Sequence, residues 1–250
     1  MARRFGLVVL LFLVVPLGGS MRAESAPPPP ASPVRAAKAK PPPKPGRKPR
    51  IRHVRRKAPG TLIARVRPGR EVLVRSGGEV TRLSPRTEFG SPQTFAVSRV
   101  LPGRRYRVLL PDSRSGWIHA APGTFALSRA RNTLDVDLSS RLLRVHRGNR
   151  VTRVIRVGTG APATPTPIGR FTVTDKLDGA AYSPVYGCCI LALSAHQTHL
   201  PAGWTGGNLI AIHGGSTAGA ISNGCLHAAT ADLRYLMHVA PLGTLVVVHP

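Results

Sequence analysis

The stretch Ile210-Ala211-Ile212-His213-Gly214-Gly215-Ser216-Thr217-Ala218-Gly219-Ala220-Ile221-Ser222-Asn223-Gly224-Cys225-Leu226-His227-Ala228 decides the reading of this chain. It opens with an apolar run that reads as a strand delivering His213 at its end. A loop of small residues follows and closes on Ser222-Asn223-Gly224-Cys225. Cys225 lies 12 positions after His213. A loop of that size can fold back and set an imidazole beside a thiol. Gly224 lets the backbone take positive φ, or approach closely, next to the sulfur.

The pairing has a chemical logic. The thiolate is the nucleophile, and an unperturbed cysteine titrates near ~8.5. An adjacent imidazole takes the thiol proton and later returns it to an amine. The imidazole in turn needs a group to fix its tautomer. No acid lies in the loop, so the Gly214 carbonyl is the expected orienter. Backbone N–H groups near Gly224 can hold a developing oxyanion. Catalytic roles therefore fall to Cys225, His213 and Gly214. Substrate or oxyanion contacts fall to Ser222, Asn223, Gly224 and His227.

Working outward, the second half of the chain reads as strands. Leu134, Val136 and Leu138 alternate with Asp135 and Asp137. Leu142–His146 and Val151–Val157 flank Arg147-Gly148-Asn149-Arg150, a hairpin turn. Further strands are expected at Arg170–Thr174, Cys188–Leu193, Asn208–Ile212 and Thr244–Val248. One helix fits after Thr230, its expected N-cap, with Leu233, Leu236, Met237 and Ala240 at helical spacing. Residues 61–122 show short strands punctuated by Gly77-Gly78, Gly90-Ser91-Pro92 and Pro102-Gly103. The stretch Gly116-Trp117-Ile118 is similar to the last strand of SH3-like barrels. The expected class is mainly β: a small SH3-like domain at 61–122, then a β-sandwich at 132–250 with one helix after the nucleophile.

The beginning of the chain reads differently. Arg3 and Arg4 precede an apolar run, Phe5–Leu17, that ends near Gly18-Gly19-Ser20. This pattern predicts an export signal or N-terminal anchor over 1–23. Residues 24–60 read as an extended linker, with Pro27–Pro30, Pro41–Pro43 and ten Lys/Arg between Lys38 and Lys57. Of 36 Lys/Arg in the chain, 14 lie in the first 60 residues, against one acid, Glu24. The net charge of +26 points to an anionic partner. An envelope location makes that partner a wall polymer or membrane surface met by the linker, and argues against nucleic acid. Cysteines number three. An odd count in an exported chain leaves a free thiol. Cys188 and Cys189, adjacent in an apparent strand, are expected to point to opposite faces. Their spacing from His196 and His199 is poor for zinc, so no metal and no cofactor are expected.

His213-Gly214 and Ser222-Asn223-Gly224-Cys225-Leu226 resemble the motif of the L,D-transpeptidase catalytic domain, the YkuD family. Thr164-Pro165-Thr166-Pro167-Ile168-Gly169-Arg170-Phe171 is similar to that family's Thr-Pro-x-Gly-x-Phe turn. Leu191–His196 and Pro241-Leu242-Gly243-Thr244 also fit, so the resemblance covers 132–250. Two positions depart from the family pattern: His227 stands where it has arginine, and Asn223 where it often has histidine. The resemblance implies an exported enzyme acting on peptidoglycan stem peptides. Cys225 would form a thioester with the third stem residue, expel D-alanine and pass the acyl group to an amine, giving a 3→3 cross-link. Two alternatives remain open on sequence: an L,D-carboxypeptidase that uses water as acceptor, and a catalytically decayed wall-binding protein.

Overall fold

The computed structural model describes residues 60–110 and 114–250. The expectations of a leader over 1–23 and of a basic linker up to residue 59 lie outside the described residues. The described part is mainly β, with a single α-helix.

Seven strands form the first sheet. They are β1 (Thr61–Val66), β2 (Val72–Ser76), β3 (Glu79–Leu83), β4 (Thr94–Leu101), β5 (Arg105–Leu109), β6 (Ser115–His119) and β7 (Phe125–Ala130). Their order is β3-β2-β6-β5-β4-β1-β7, and each pairing is antiparallel. Alternation builds the core: Val72 and Val74, Phe95 and Val97, and Tyr106 and Val108 turn inward beside Ile118. β7 pairs with β1 along its whole length, so this sheet extends past residue 122 to Ala130. Edges at β3 and β7 give a wide antiparallel sheet, and the strand order by itself does not identify an SH3-like barrel.

The second half continues with β8 (Asn132–Asp137), β9 (Leu142–Arg147), β10 (Arg150–Arg156), β11 (Thr159–Gly160), β12 (Gly169–Asp178), β13 (Cys189–His196), β14 (Leu209–His213), β15 (Ala220–Ser222), β16 (Leu226–His227) and β17 (Leu245–His249). Eight of these make a sheet in the order β10-β9-β8-β17-β12-β13-β14-β16, and β11 pairs with β15 separately. The β9–β10 hairpin turns at Gly148, whose φ of 63° suits a glycine. Three pairings are parallel: β8 with β17, β14 with β16, and β11 with β15.

Helix α1 (Thr230–Val239) follows the nucleophile segment. Its N-cap is Ala229, with no side-chain capping bond, so Thr230 is the first helical residue and not the cap. Leu233, Leu236 and Ala240 enter the core beneath β13, β14 and β17. Asp232 sits in the first turn, where a negative charge favours the helix dipole. Arg153 of β10 donates twice to its carboxylate, at 2.6 and 2.9 Å, and stacks over the Tyr235 ring at 4.5 Å. The helix is thus tied to the sheet from both its apolar and its polar side.

Candidate active site

Parallel pairing of β14 and β16 assembles the site. Ile212 is opposite Leu226, and His213 is opposite His227. Ile212 and Leu226 are fully buried and fill the core. Side chains alternate along a strand, so the neighbours of these two residues must point to the other face. Cys225, His213 and His227 therefore share that face. The His213 and His227 rings lie 4.8 Å apart, and the Cys225 thiol hydrogen-bonds the Ala211 backbone one register step away. The three line a groove of about 280 Å³ with Tyr186, Gln197, Trp204 and Ile221.

The electrostatics favour a neutral pair at rest. His213 is 7% exposed, and burial pushes its imidazole down to about 4. The Gly214 carbonyl pulls the other way, and the nearby His227 ring adds to the lowering. His213 Nδ1 lies 2.7 Å from Gly214 O. A carbonyl only accepts, so Nδ1 carries the proton and Nε2 is left as the acceptor. Burial raises the Cys225 thiol, against a hydrogen bond from the Ala211 backbone. Cys225 is free, not disulfide-bonded. A thiol held up and an imidazole held down make a proton acceptor waiting for a proton, not a preformed ion pair.

His227 is half-buried, with Nδ1 3.2 Å from Ser216 O. Burial lowers its pKa, opposed by that carbonyl. It is therefore neutral at neutral pH and supplies no standing charge there.

Side chains inside the nucleophile loop are mostly used by the loop itself. Ser222 Oγ donates to Cys225 O at 2.6 Å and accepts from Gly224 N–H at 3.1 Å. The Ser222 hydroxyl thus closes the turn and is 8% exposed. Gly224 N–H is committed to it, which leaves the Cys225 N–H as the amide available beside the sulfur. Thr164 Oγ1 donates to Ser222 O at 2.9 Å, and Gly160 N–H donates to Thr166 Oγ1 at 2.9 Å. The Thr164–Thr166 turn and the β11–β15 pair hold the loop from behind.

Gln197 is a site residue that sequence reasoning passed over. It is 3% exposed and donates from Nε2 to both Pro165 O (3.0 Å) and Asn223 O (3.1 Å). One amide group ties the Thr-Pro turn to the residue before Gly224. Gly224 has φ of 109°, and a Cβ there would lie 2.4 Å from Gln197 Nε2. The glycine is needed for its conformation and for this close approach. A glutamine just past a strand end carries little signal by itself, because its partners lie 26 and 32 residues away in sequence.

Tyr186 also joins the site. Two short 3-10 turns, Gly179–Ala181 and Pro184–Tyr186, bring its ring edge-on to His213 at 4.7 Å. Its carbonyl accepts from Gly214 N–H at 2.8 Å. Cys188 and Cys189 follow, and they are bonded to each other. The expectation of opposed side chains fails because Cys188 precedes β13 in a turn, where strand alternation does not apply. The first sheet reaches this loop: Phe89 meets Tyr182 edge-on at 6.1 Å, and Thr87 Oγ1 donates to the buried Asp175 carboxylate at 2.5 Å.

Residues 131–248 match the family model described as the L,D-transpeptidase catalytic domain, YkuD. No curated protein matches the chain. Among solved structures, the chain is similar to an L,D-transpeptidase (Yku) from Stackebrandtia nassauensis, at 22% identity and a TM-score of 0.35, over 49% of this chain and 57% of that one. It is similar to an L,D-transpeptidase from Mycobacterium smegmatis at 17% identity and a TM-score of 0.40, over 76% of this chain and 99% of that one. A third is L,D-transpeptidase 3 from Mycobacterium tuberculosis, in complex with a faropenem-derived adduct. Identity there is 15%, the TM-score 0.37, and coverage 62% of this chain and 98% of that one. The stretch that matches the L,D-transpeptidase catalytic domain of the YkuD type, residues 131–248, holds His213, Cys225 and His227.

Proposed function

We propose that the chain is an exported peptidoglycan L,D-transpeptidase that works through a thioester on Cys225. The observation that carries the reading is the β14–β16 register, which sets Cys225, His213 and His227 on one face of a groove. Export and an envelope location are supported by the charged and apolar opening of the sequence.

The steps follow from the neutral pair. A stem tetrapeptide binds with the carbonyl of its third residue at Cys225 Sγ. His213 Nε2 takes the thiol proton as sulfur attacks. The Cys225 N–H donates to the tetrahedral oxyanion. The C–N bond then breaks, and His213 returns the proton to the departing D-alanine amine. A thioester remains on Cys225. The side-chain amine of a second stem attacks it, His213 Nε2 takes that proton, and collapse expels the thiolate, which recovers the proton. The product is a 3→3 cross-link. Gly214 holds the imidazole tautomer throughout. His227, neutral with its proton on Nδ1, offers Nε2 as an acceptor to a substrate amide N–H. The basic linker adds retention on anionic wall polymer or membrane surface.

Intact-protein mass after exposure to a carbapenem, and separately to a stem tetrapeptide, tests this. The wild type should gain one adduct with the carbapenem. It should release D-alanine and yield a dimer with the peptide. Cys225→Ala should gain nothing. An adduct of equal yield on the alanine variant would sink the assignment.

A further inference from the structure

A second groove, of about 600 Å³, lies where the first sheet meets β12 and β17. It is larger than the groove holding Cys225. Its walls carry three arginines from three strands: Arg99 on β4, Arg129 on β7 and Arg170 on β12. Among the described residues its lining contains no acidic one. Arg129 donates to Gly60 O at 3.1 Å, and among the described residues none of the three meets a carboxylate. Other arginines of the same chain do: Arg82 with Glu71, Arg144 with Asp137 and Arg153 with Asp232. Among the described residues the acids are placed elsewhere, and no described carboxylate offsets the charge of this groove.

Apolar side chains line the groove as well. Leu62, Val97 and Leu109 come from the first sheet, and Leu245 from the second. The register puts Val97, Leu62 and Arg129 in one row across β4, β1 and β7. Guanidinium groups and hydrocarbon in one lining suit a ligand with repeating oxyanions on a carbon skeleton. Arginine grips carboxylate and phosphate with paired N–H bonds. A concave basic surface with low-dielectric walls concentrates anions. The charged groups stand on strands of packed sheets, so the spacing is fixed before a ligand arrives.

We propose that this groove is a binding site for a linear anionic glycopolymer, gripped through Arg99, Arg129 and Arg170. The site is separate from Cys225, and it does not depend on the transpeptidase reading. Phosphodiester and uronate polymers share the required chemistry, and the test separates them.

Full-length protein is treated with phenylglyoxal, which modifies arginine. The treatment is run with a poly(glycerol phosphate) oligomer, with an oligogalacturonate of equal charge, and with neutral dextran. Labelling is read residue by residue by mass spectrometry. Arg99, Arg129 and Arg170 should be protected severalfold by one or both polyanions and not by dextran. Arg147 and Arg150, exposed on the β9–β10 turn, should be labelled equally throughout. Protection by one polyanion alone identifies the source. In parallel, R99Q/R129Q/R170Q should lose more than tenfold in affinity, while the charge-matched R147Q/R150Q/R156Q loses less than threefold. Both should keep the wild-type rate of Cys225 acylation by a carbapenem. Uniform protection of all five arginines, or equal loss in the two triple variants, would show diffuse charge attraction and overturn the proposal. If the groove triple variant does not fold, the protection pattern in the wild type still decides. Loss of acylation in the wild type would bear on the catalytic reading alone.

Discussion

The two sheets use similar alternating strands and differ in how the strands meet. In the first sheet every pairing is antiparallel, and the turns are glycine-marked at Gly77, Gly90 and Gly103. In the second, two parallel pairings join strands that are distant in sequence or separated by a long loop, and β11 with β15 adds a third beside it. The cysteine and histidine stand at one of these, β14 with β16. A parallel neighbour cannot be reached by a tight hairpin, so the chain must leave and come back. That return loop, from Gly214 to Gly224, is where the chemistry is held. The first sheet repeats a local pattern, while the second gains a site by closing a nonlocal one.

The largest expected effect breaks the contrast at its centre. Cys225→Ala should abolish carbapenem acylation outright, read as intact mass. Val74→Ala, in the core of the first sheet, should lower the unfolding temperature and leave the acylation rate of folded protein unchanged. Loss of acylation in the folded Val74 variant would mean that the two sheets are not separable in function.

Glycine at the two turns should behave unlike in the two regions. Gly224→Ala drives a methyl into Gln197 and strains a positive φ. Misplacement of the nucleophile on this scale costs on the order of a hundredfold in acylation rate. Gly77→Ala meets open space at φ 57° and should cost about 1 kcal/mol of stability, with no kinetic effect. Equal kinetics for the two variants would remove the nucleophile loop from the mechanism.

Gln197→Leu keeps bulk and removes both hydrogen bonds that tie Pro165 to Asn223. Acylation should slow by about tenfold, the scale of one or two lost hydrogen bonds, with Gln197→Glu restoring little because a carboxylate cannot donate. A glutamate variant at the wild-type rate would show that packing, not the amide, matters.

The smallest effect is a shift along the pH axis. With His213 held down to about 4, acylation should stay level from neutral pH toward pH 5 and fall with a midpoint near 4. Protonated His227 disfavours protonation of His213, so His227→Ala should move that midpoint upward while His227→Arg, which keeps the charge, should leave it near the wild-type value. Identical acid limbs in all three proteins would show that the 4.8 Å ring pair carries no electrostatic coupling. Stability follows the same sign. A histidine with a depressed folded pKa contributes fully above the unfolded value of about 6.5. Its contribution fades as pH falls toward 4, because the unfolded chain then binds the extra proton.

Much of the strand content was legible because half-buried strands write a period of two into the sequence. Leu134–Leu138, Leu142–His146 and Val151–Val157 lie within one or two residues of β8, β9 and β10. β7 was missed because its outward face carries Leu127, which is 50% exposed, and this blurs the alternation. β11, β15 and β16 have two or three residues each, too short for any period to show. Gln197 and Tyr186 join the site through partners far along the chain or through a carbonyl, and a carbonyl is the same in every residue type.

By itself the sequence determined the residue chemistry: a thiol and an imidazole 12 positions apart, joined by residues small enough to let the loop return. It also determined the β class, through alternation. Tertiary structure decided the rest. The β14–β16 register turned a spacing into a shared face, and burial set His213 low and Cys225 high. The meeting of the two sheets gathered three arginines and several apolar side chains in one groove. Period and side-chain chemistry are local and can be read from neighbouring letters. Register, desolvation and clustered charge depend on what arrives from elsewhere in the chain, and they exist only once it has folded.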